Sequence, residues 1–204
     1  MKIYIARHGE TEWNTLGKTQ GSQDTPLTNK GLKQAELLKC RLEGKGITRI
    51  YSSTLSRAYE TAMAVGRGLG IVPYVIPALR EVGFGCWEGL TRTEIEMNYP
   101  GQLGLWHKDH DFYPESGESI NMVLTRVRGF IDALKRDIAS GQGNMAIISH
   151  SLTNRILLLE LTGIPLDYLW SFRQDNSGIN IVEFNGSKFS IACLNDTCHL
   201  DGIG

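Results

Sequence analysis

A chain of 204 residues with 41% hydrophobic side chains can bury a sizeable core in one domain, or in one domain with a lid. Its 21 basic and 22 acidic residues leave a formal net charge of -1, which argues against a nucleic-acid partner and gives no reason to expect a membrane partner. The N-terminal apolar stretch is too short for a signal peptide, and no segment is long enough to span a bilayer. We therefore expect a cytoplasmic protein whose four cysteines are reduced thiols.

Strands and helices are predicted to alternate in the first third of the chain. Strands are expected from Lys2 to Ala6, from Arg49 to Ser52 and, rich in β-branched residues, from Ile71 to Ile76. The helix between the first two strands is capped by Thr28 and ends at Gly44, and a second helix follows the second strand. Apolar residues three or four positions apart mark the core-facing sides of these helices: Leu32, Ala35, Leu38 and Leu42, then Ala58, Ala62, Val65 and Leu69.

The middle of the chain is irregular from residue 78 to residue 118. It contains one short predicted helix, which Thr91 opens with Glu94 three residues later in the pattern of a capping box. Ser119 then caps the longest predicted helix. Its apolar face consists of Ile120, Val123, Val127, Ile131, Leu134 and Ile138.

The last third returns to alternation and ends in a hairpin. A strand from Met145 to Ser149 precedes a helix from Asn154 to Leu161. Two further strands, Ile179 to Phe184 and Phe189 to Leu194, are joined across Asn185-Gly186, a dipeptide that favours a tight turn.

These elements predict a single α/β domain over residues 1–204. Alternating strands and helices favour right-handed crossovers and a sheet covered on both faces. We expect a three-layer α/β/α sandwich with a mostly parallel sheet, one antiparallel strand from the hairpin and a lid-like insertion at residues 78–118, which are too many for a simple connection. The edge strand of the hairpin could pair two chains, so a homodimer is left open.

Charged and polar residues follow four successive strands. In open α/β sheets, ligands bind beyond the carboxyl ends of the strands. Arginine binds phosphate oxygens with a planar fork, neutral histidine attacks phosphorus, a buried carboxylic acid protonates a leaving group, and a second histidine donates to the transition state. The segments in question are Arg7-His8-Gly9, Ser52-Ser53 with Arg57, Leu79-Arg80-Glu81 and Ser149-His150-Ser151.

Residues 7–14, RHGETEWN, resemble the signature of the histidine phosphatase superfamily in its phosphoglycerate-mutase-like branch. The resemblance covers nearly the whole chain, because further motifs of that family follow in order. They are Gln20-Gly21, Pro26-Leu27-Thr28, Tyr51-Ser52-Ser53 through Arg57-Ala58 and Thr61-Ala62, Leu79-Arg80-Glu81 with Trp87-Glu88-Gly89, and Ser149-His150. The chain departs from the common pattern at Gly83, Cys86 and Ser151, which affects the shape of the expected pocket and removes no catalytic group.

The resemblance implies a phosphatase that needs no metal and no cofactor. His8 would be the nucleophile that carries the phosphoryl group, and Glu81 would be the proton donor. The phosphoryl group would be held by Arg7, Arg57 and His150. The expected substrate-binding residues are Asn14, Gln20, Gly21 and Ser151.

The substrate implied by the resemblance is a small phosphorylated metabolite of the α-ribazole phosphate, phosphoserine or phosphoglycerate type. Residues 194–200, LNDTCHL, resemble the tails of α-ribazole-phosphate phosphatases and metal-independent phosphoserine phosphatases. A cofactor-dependent phosphoglycerate mutase is the main rival, although mutases usually carry a longer insertion than the 68 residues between Glu81 and His150. A regulatory protein phosphatase and an inactive module that binds a phosphorylated ligand are also left open.

Two more clusters contain side chains that can bind metals. The first matches no established spacing and is interpreted as a solvated loop, and the second lacks a fourth ligand and is interpreted as structural or substrate-facing. Their members are His107, Asp109, His110 and Asp111 in the first cluster, and Cys193, Cys198 and His199 in the second.

Overall fold

The computed structural model describes residues 1–141 and 143–203, and it contains one six-stranded sheet. The strand order is β3-β2-β4-β1-β5-β6, in which the first four strands are parallel and β5 is antiparallel to both of its neighbours. The strands are β1 (Lys2–Arg7), β2 (Ile47–Ser52), β3 (Tyr74–Val75), β4 (Asn144–Ser149), β5 (Ile179–Phe184) and β6 (Phe189–Asp196).

Helices cover both faces of this sheet, which confirms the predicted three-layer sandwich. The helices are α1 (Glu12–Thr15), α2 (Asn29–Leu42), α3 (Ser56–Leu69), α4 (Arg92–Asn98), α5 (Gln102–Lys108), α6 (Ile120–Ala139) and α7 (Ser151–Thr162). Because side chains alternate along a strand, Tyr4 and Ala6 pack against α2 and α3 while Ile3 and Ile5 pack against α6 and α7. Among the described residues, no helix has both the length and the apolar character needed to cross a membrane.

Thr28, Thr91 and Ser119 are the N-caps of α2, α4 and α6, as predicted. The Thr28 hydroxyl accepts a hydrogen bond from the Gly31 N–H at 3.0 Å, and the Ser119 hydroxyl accepts one from the Met122 N–H at 3.1 Å. Thr91 and Glu94 form the reciprocal capping box at the start of α4. Each cap satisfies an N–H group that the helix itself leaves unpaired, so these residues fix where the helices begin.

The third strand is shorter than predicted. Only Tyr74 and Val75 pair with β2, whereas Val72 is 79% exposed. Pro73 has no N–H to donate to a sheet, and the Ile71 N–H is already bonded to the carbonyl of Gly66 at the end of α3. The predicted strand from Ile71 to Ile76 is therefore wrong in its first half. There, the Ile71 N–H bonds to a carbonyl in the last turn of α3 instead of joining the sheet.

The core-facing side of α2 is also displaced from the prediction. Leu32 is 49% exposed, and Gly31 occupies the first buried position on the face that continues through Ala35 and Leu38. A Cβ at Gly31 would lie 2.0 Å from the carbonyl oxygen of Glu10, so only glycine allows the helix to approach the loop after β1 this closely.

Residues 78–118 are more ordered than an irregular loop. They contain α4, α5 and the 3₁₀ helix Gly85–Trp87, and a second 3₁₀ helix, Pro77–Leu79, leads into them. Trp87 and Trp106 are almost completely buried in the core that lies against α6 and α7. Two aromatic anchors therefore fix this segment to the sheet layer, while its role as a lid stays a prediction.

Candidate active site

A cavity of about 240 Å³ lies at the carboxyl ends of the parallel strands. Every predicted site residue except His150 lines it, and the His150 ring lies 5.1 Å from the His8 ring, centroid to centroid. Four separate segments of the chain thus bring their functional side chains to one place. The predicted residues in the lining are Arg7, His8, Asn14, Gln20, Gly21, Arg57, Glu81 and Ser151.

His8 follows β1 directly and is buried, with 3% of its surface exposed. Its Nδ1–H donates a hydrogen bond to the carbonyl oxygen of Gly9 at 2.7 Å, the assignment that the hydrogen-bond network favours. Burial and the positive charges of Arg7 and Arg57 lower the pKa of His8 well below its usual value, so the ring is neutral near pH 7. A neutral ring that is protonated at Nδ1 has its lone pair on Nε2, which is the form of imidazole that can attack phosphorus.

Two buried guanidinium groups share the cavity with His8. Arg57 donates from Nη1 and Nη2 to the carbonyl oxygens of Gln23 and Gly21, at 2.7 and 2.8 Å, and Arg7 donates from Nη1 to the carbonyl oxygen of Gln174 at 2.9 Å. The Nε atoms of both arginines are buried and have no acceptor among the described residues. Burial lowers the pKa of Arg7 to about 10, which still leaves it cationic at neutral pH. Backbone carbonyls therefore orient two cations that keep a donor each for an anion.

His150 follows β4 directly, at the N-cap of α7, and is fully buried. Its Nε2 lies 2.8 Å from the hydroxyl of Ser53, which itself accepts a hydrogen bond from the Leu55 N–H. Because the Ser53 hydroxyl already accepts from Leu55, we assign it as the donor to Nε2, which puts the proton of the neutral ring on Nδ1, a buried atom with no partner among the described residues. Burial, followed by the charge of Arg57, lowers the pKa of His150 well below its usual value. His150 can therefore donate one hydrogen bond while uncharged.

Glu81 lies shortly after the 3₁₀ helix Pro77–Leu79 and is buried against the first turn of α7, with 9% of its surface exposed. Its Oε1 accepts hydrogen bonds from the N–H and the hydroxyl of Thr153, both at 3.2 Å, and its Oε2 accepts one from the Leu152 N–H at 3.3 Å. No arginine or lysine in the described residues lies within ion-pair distance of this carboxyl group. The helix start fixes the carboxyl group in the cavity without neutralising it.

The residues predicted to bind substrate differ in how many of their side-chain hydrogen-bonding groups are left for a ligand. Gln20 donates from Nε2 to the Thr11 hydroxyl at 2.7 Å and accepts at Oε1 from the Thr25 hydroxyl at 2.9 Å. Its amide therefore holds the loop together as well as lining the cavity. The Asn14 Oδ1 accepts hydrogen bonds from Thr11 and Asn176, which leaves its amide N–H₂ group for a ligand.

Sequence reasoning missed several residues that line the cavity. Most of them belong to no motif. Arg155, in the second turn of α7, would be interpreted from helical spacing alone as part of a solvent-exposed face. The missed residues are Lys18, Thr19, Phe84, Leu152, Arg155 and Trp170.

The two clusters with metal-binding side chains do not form metal sites in the described residues, where no three histidine, cysteine, aspartate or glutamate side chains converge. The His107 ring packs against Trp170 at 4.3 Å, centroid to centroid, with the two planes tilted by 35°, and Asp111 accepts a hydrogen bond from Asn121. Cys193 and Cys198 are free thiols.

A mostly parallel α/β/α sandwich that brings a neutral histidine and two buried arginines to one sheet edge defines an enzyme of phosphoryl transfer. The chain matches the histidine phosphatase superfamily (branch 1) over residues 3–197, and it belongs to that family. The predictions of family, fold class and phosphatase activity are confirmed.

Named relatives cover nearly the whole chain. Phosphoserine phosphatase 1 of Hydrogenobacter thermophilus is 31% identical over 201 residues, which are 98% of this chain and 94% of that protein. A probable phosphoglycerate mutase of Yersinia pestis is 31% identical over 98% of this chain and 95% of its own length. The structure of the α-ribazole phosphatase from Shigella flexneri superposes with a TM-score of 0.87 at 29% identity, over 96% of each chain.

Proposed function

We propose that this enzyme hydrolyses a small phosphorylated metabolite through a phosphohistidine intermediate on His8. The observation that carries the proposal is the hydrogen bond from His8 Nδ1–H to the carbonyl oxygen of Gly9, in a ring that burial keeps neutral. This contact leaves Nε2 unprotonated in a cavity that also contains the guanidinium groups of Arg7 and Arg57.

In the first step, His8 Nε2 attacks phosphorus and the bond from phosphorus to the ester oxygen breaks. Glu81 gives its proton to the departing alkoxide, so the alcohol leaves neutral. Arg7 and Arg57 bind the phosphoryl oxygens, and the Nδ1–H of His150 donates to them as negative charge shifts in the transition state.

In the second step, a water molecule attacks the phosphorus of phosphohistidine. The Glu81 carboxylate takes a proton from that water, the bond from phosphorus to Nε2 breaks, and inorganic phosphate leaves. His8 returns to its neutral form and Glu81 to its acid form, so the cycle closes without a metal or a cofactor.

The size of the cavity supports a compact substrate. About 240 Å³ is below the range of typical drug-sized ligand sites, which fits a small metabolite better than a loop of a protein substrate. We assign Asn14, Gln20, Gly21 and Ser151 to substrate binding. Residues 78–118 form the lid, and they contribute Phe84 and Trp106 to the cavity wall.

The name of one relative, a probable phosphoglycerate mutase, makes mutase activity the rival function to test. The enzyme is incubated with 3-phosphoglycerate and a bisphosphorylated primer, and free phosphate and 2-phosphoglycerate are measured together. Hydrolysis predicts that phosphate appears faster than 2-phosphoglycerate, whereas the opposite ratio would identify a mutase. Release of phosphate from phosphopeptides but from no small phosphate ester would favour a regulatory protein phosphatase, and no release from any substrate would favour a binding module.

We also propose that the enzyme works in the cytoplasm, because its four cysteines are free thiols that suit a reducing compartment. β6 is an edge strand of the sheet, and a homodimer formed along it stays a prediction.

A further inference from the structure

Arg155 is a cation of the cavity that the chemistry proposed above does not use. It lies in α7, and its guanidinium carbon lies over the Trp170 ring at 5.8 Å from the ring centroid, a cation–π contact. The Trp170 indole N–H donates to the carbonyl oxygen of His107 at 3.3 Å, and the His107 ring packs against the same indole. The anchored indole therefore favours this position of the Arg155 side chain through a cation–π contact.

No acidic group within the described residues neutralises Arg155. Its Nε is buried without an acceptor, and no described residue accepts a hydrogen bond or forms an ion pair with it. Burial lowers the pKa of Arg155, and the charge of Glu81 acts in the opposite direction. A partly desolvated guanidinium group without an anionic partner is unfavourable, so an anion from outside the chain would stabilise it.

The charges along the cavity wall show that a phosphate group alone does not balance them. Four cations, Arg7, Lys18, Arg57 and Arg155, line the cavity, and Glu81 is the acidic residue among the described residues that line it. A phosphate monoester carries two negative charges at most, and Arg7 and Arg57 suffice to bind it. Counting the Glu81 carboxylate, the lining has a net charge of +3, so a phosphate dianion leaves one positive charge. Lys18 and Arg155 are the cations left to bind a further negative group.

We propose that Arg155 binds a carboxylate on the substrate, so that this enzyme prefers phosphate monoesters that also carry a carboxylate. The planar fork of a guanidinium group matches a carboxylate with two parallel hydrogen bonds, which a flat aromatic support under the guanidinium leaves free to form. This inference rests on the proposed function, because it takes the phosphate ester to be bound by Arg7 and Arg57 in the same cavity.

The test uses two pairs of substrates that differ in a carboxylate: O-phosphoserine against O-phosphoethanolamine, and 3-phosphoglycerate against glycerol 3-phosphate. We expect kcat/KM of the wild-type enzyme to be roughly 10- to 100-fold higher for the carboxylated member of each pair, the scale of a charge-assisted hydrogen-bonded pair. Arg155→Met keeps much of the length of the side chain and should bring both ratios to about 1. Arg67→Met is the matched control, because Arg67 is 64% exposed on α3, away from the cavity, and both ratios should keep their wild-type values.

Binding to a protein without the nucleophile separates this inference from the proposed function. Dissociation constants of the same four compounds are measured by calorimetry for His8→Ala and for His8→Ala with Arg155→Met. The inference predicts the same preference for carboxylated compounds in the first protein and its loss in the second. If the wild-type enzyme releases no phosphate but this preference is present, the proposed function is wrong and the inference stands. A wild-type ratio near 1, or an equal loss on both members of a pair in Arg155→Met, would overturn the inference.

Discussion

At the scale of single residues, the two active-site histidines share one tautomer but use it differently. Burial keeps both rings neutral, and the hydrogen-bond network assigns the proton of each ring to Nδ1. In His8 this N–H is bound to the Gly9 carbonyl, so Nε2 is left to attack. In His150 the Ser53 hydroxyl occupies Nε2, so Nδ1–H is left to donate. In the proposed mechanism, a backbone carbonyl at His8 and a serine hydroxyl at His150 thus determine which ring attacks and which ring donates a hydrogen bond.

This assignment gives Ser53 a positioning role that can be measured. Ser53→Ala removes the group that holds the His150 proton on Nδ1, and kcat should fall roughly 10-fold, the worth of one hydrogen bond. Nitrogen NMR of the imidazole should show His150 shifting towards the Nε2-protonated form. Ser52→Ala is the control, since the Ser52 hydroxyl is equally buried but donates to the Ser53 carbonyl. An unchanged His150 tautomer in Ser53→Ala would remove this role.

Glu81 is expected to matter most when the leaving group is poor. Glu81→Gln keeps an oxygen for the Thr153 donors but has no acidic proton, so alkyl phosphates should react about 10²–10⁴-fold more slowly. The loss on p-nitrophenyl phosphate should be far smaller, because nitrophenolate leaves without protonation. Steady-state rates on both substrates check this, and equal losses would contradict the role of Glu81 as general acid.

At the scale of elements, the loop after α1 holds Arg57 through its backbone. Gly21 has a φ of +57°, and its carbonyl oxygen accepts the hydrogen bond from Arg57 Nη2. A Cβ at Gly21 would lie 2.2 Å from the Glu88 carboxylate and 2.9 Å from the Phe84 nitrogen. A substitution there must move the loop, and with it the arginine.

Gly17 offers a matched comparison with Gly21, because it has a φ of +64° and no atom within 4 Å of a built Cβ. Gly17→Ala should cost about 1–2 kcal/mol in the free energy of unfolding, because alanine is strained at positive φ. Gly21→Ala should cost more, because its Cβ would also clash with Glu88 and with the Phe84 nitrogen. Only Gly21→Ala should also lower kcat/KM, by roughly 10-fold or more, the worth of one charge-assisted hydrogen bond from Arg57. Equal effects on kcat/KM would show that the loop does not position Arg57.

The sequence predicts an element well when the interactions that define it join residues close together in the chain. Thr28, Thr91 and Ser119 cap helices because a hydroxyl bonds to an N–H only a few residues away, which a pattern can show. The strand ends place His8, Arg57 and His150 together because parallel strands share one edge of a sheet.

Contacts between distant segments were not predictable in this way. Pro73 and a hydrogen bond to Gly66 shortened the third strand, and the close approach of Glu10 placed Gly31 at a buried position where Leu32 was expected. Arg155 reaches the cavity through its packing against Trp170, a residue that lies beyond the end of α7. Helical spacing contains no information about such a contact.

At the scale of the whole molecule, burying neutral histidines makes folding depend on pH. The pKa of His8 is about 6.5 in an unfolded chain and is well below that in the folded protein, with the same direction for His150. As pH falls below about 6.5, the unfolded chain takes up protons that the folded protein does not. The stability from these histidines is therefore complete above that pH and is lost below it, down to their folded pKa values.

Each such histidine should add a slope that approaches about 1.4 kcal/mol per pH unit to the free energy of unfolding. Denaturant unfolding of the wild-type protein and of His8→Gln is measured at intervals between about pH 5 and pH 7. The difference between the two curves gives the contribution of His8 to the pH dependence of the free energy of unfolding. The variant should show the shallower curve in the acidic half of that range. Parallel curves would mean that folding does not lower the pKa of His8, so that the folded protein takes up a proton on this ring at the same pH as the unfolded chain.

In the proposed mechanism His8 carries the phosphoryl group, which can be trapped on the enzyme during turnover. The enzyme is quenched rapidly during turnover of a labelled phosphate ester and mapped by peptide under alkaline conditions, where a phosphoramidate survives. We predict one acid-labile phosphoryl group per chain on the peptide that contains His8, and neither label nor turnover in His8→Ala. His150→Ala should still accept label on His8 while turning over slowly. Label on His150, or full activity in His8→Ala, would contradict the account.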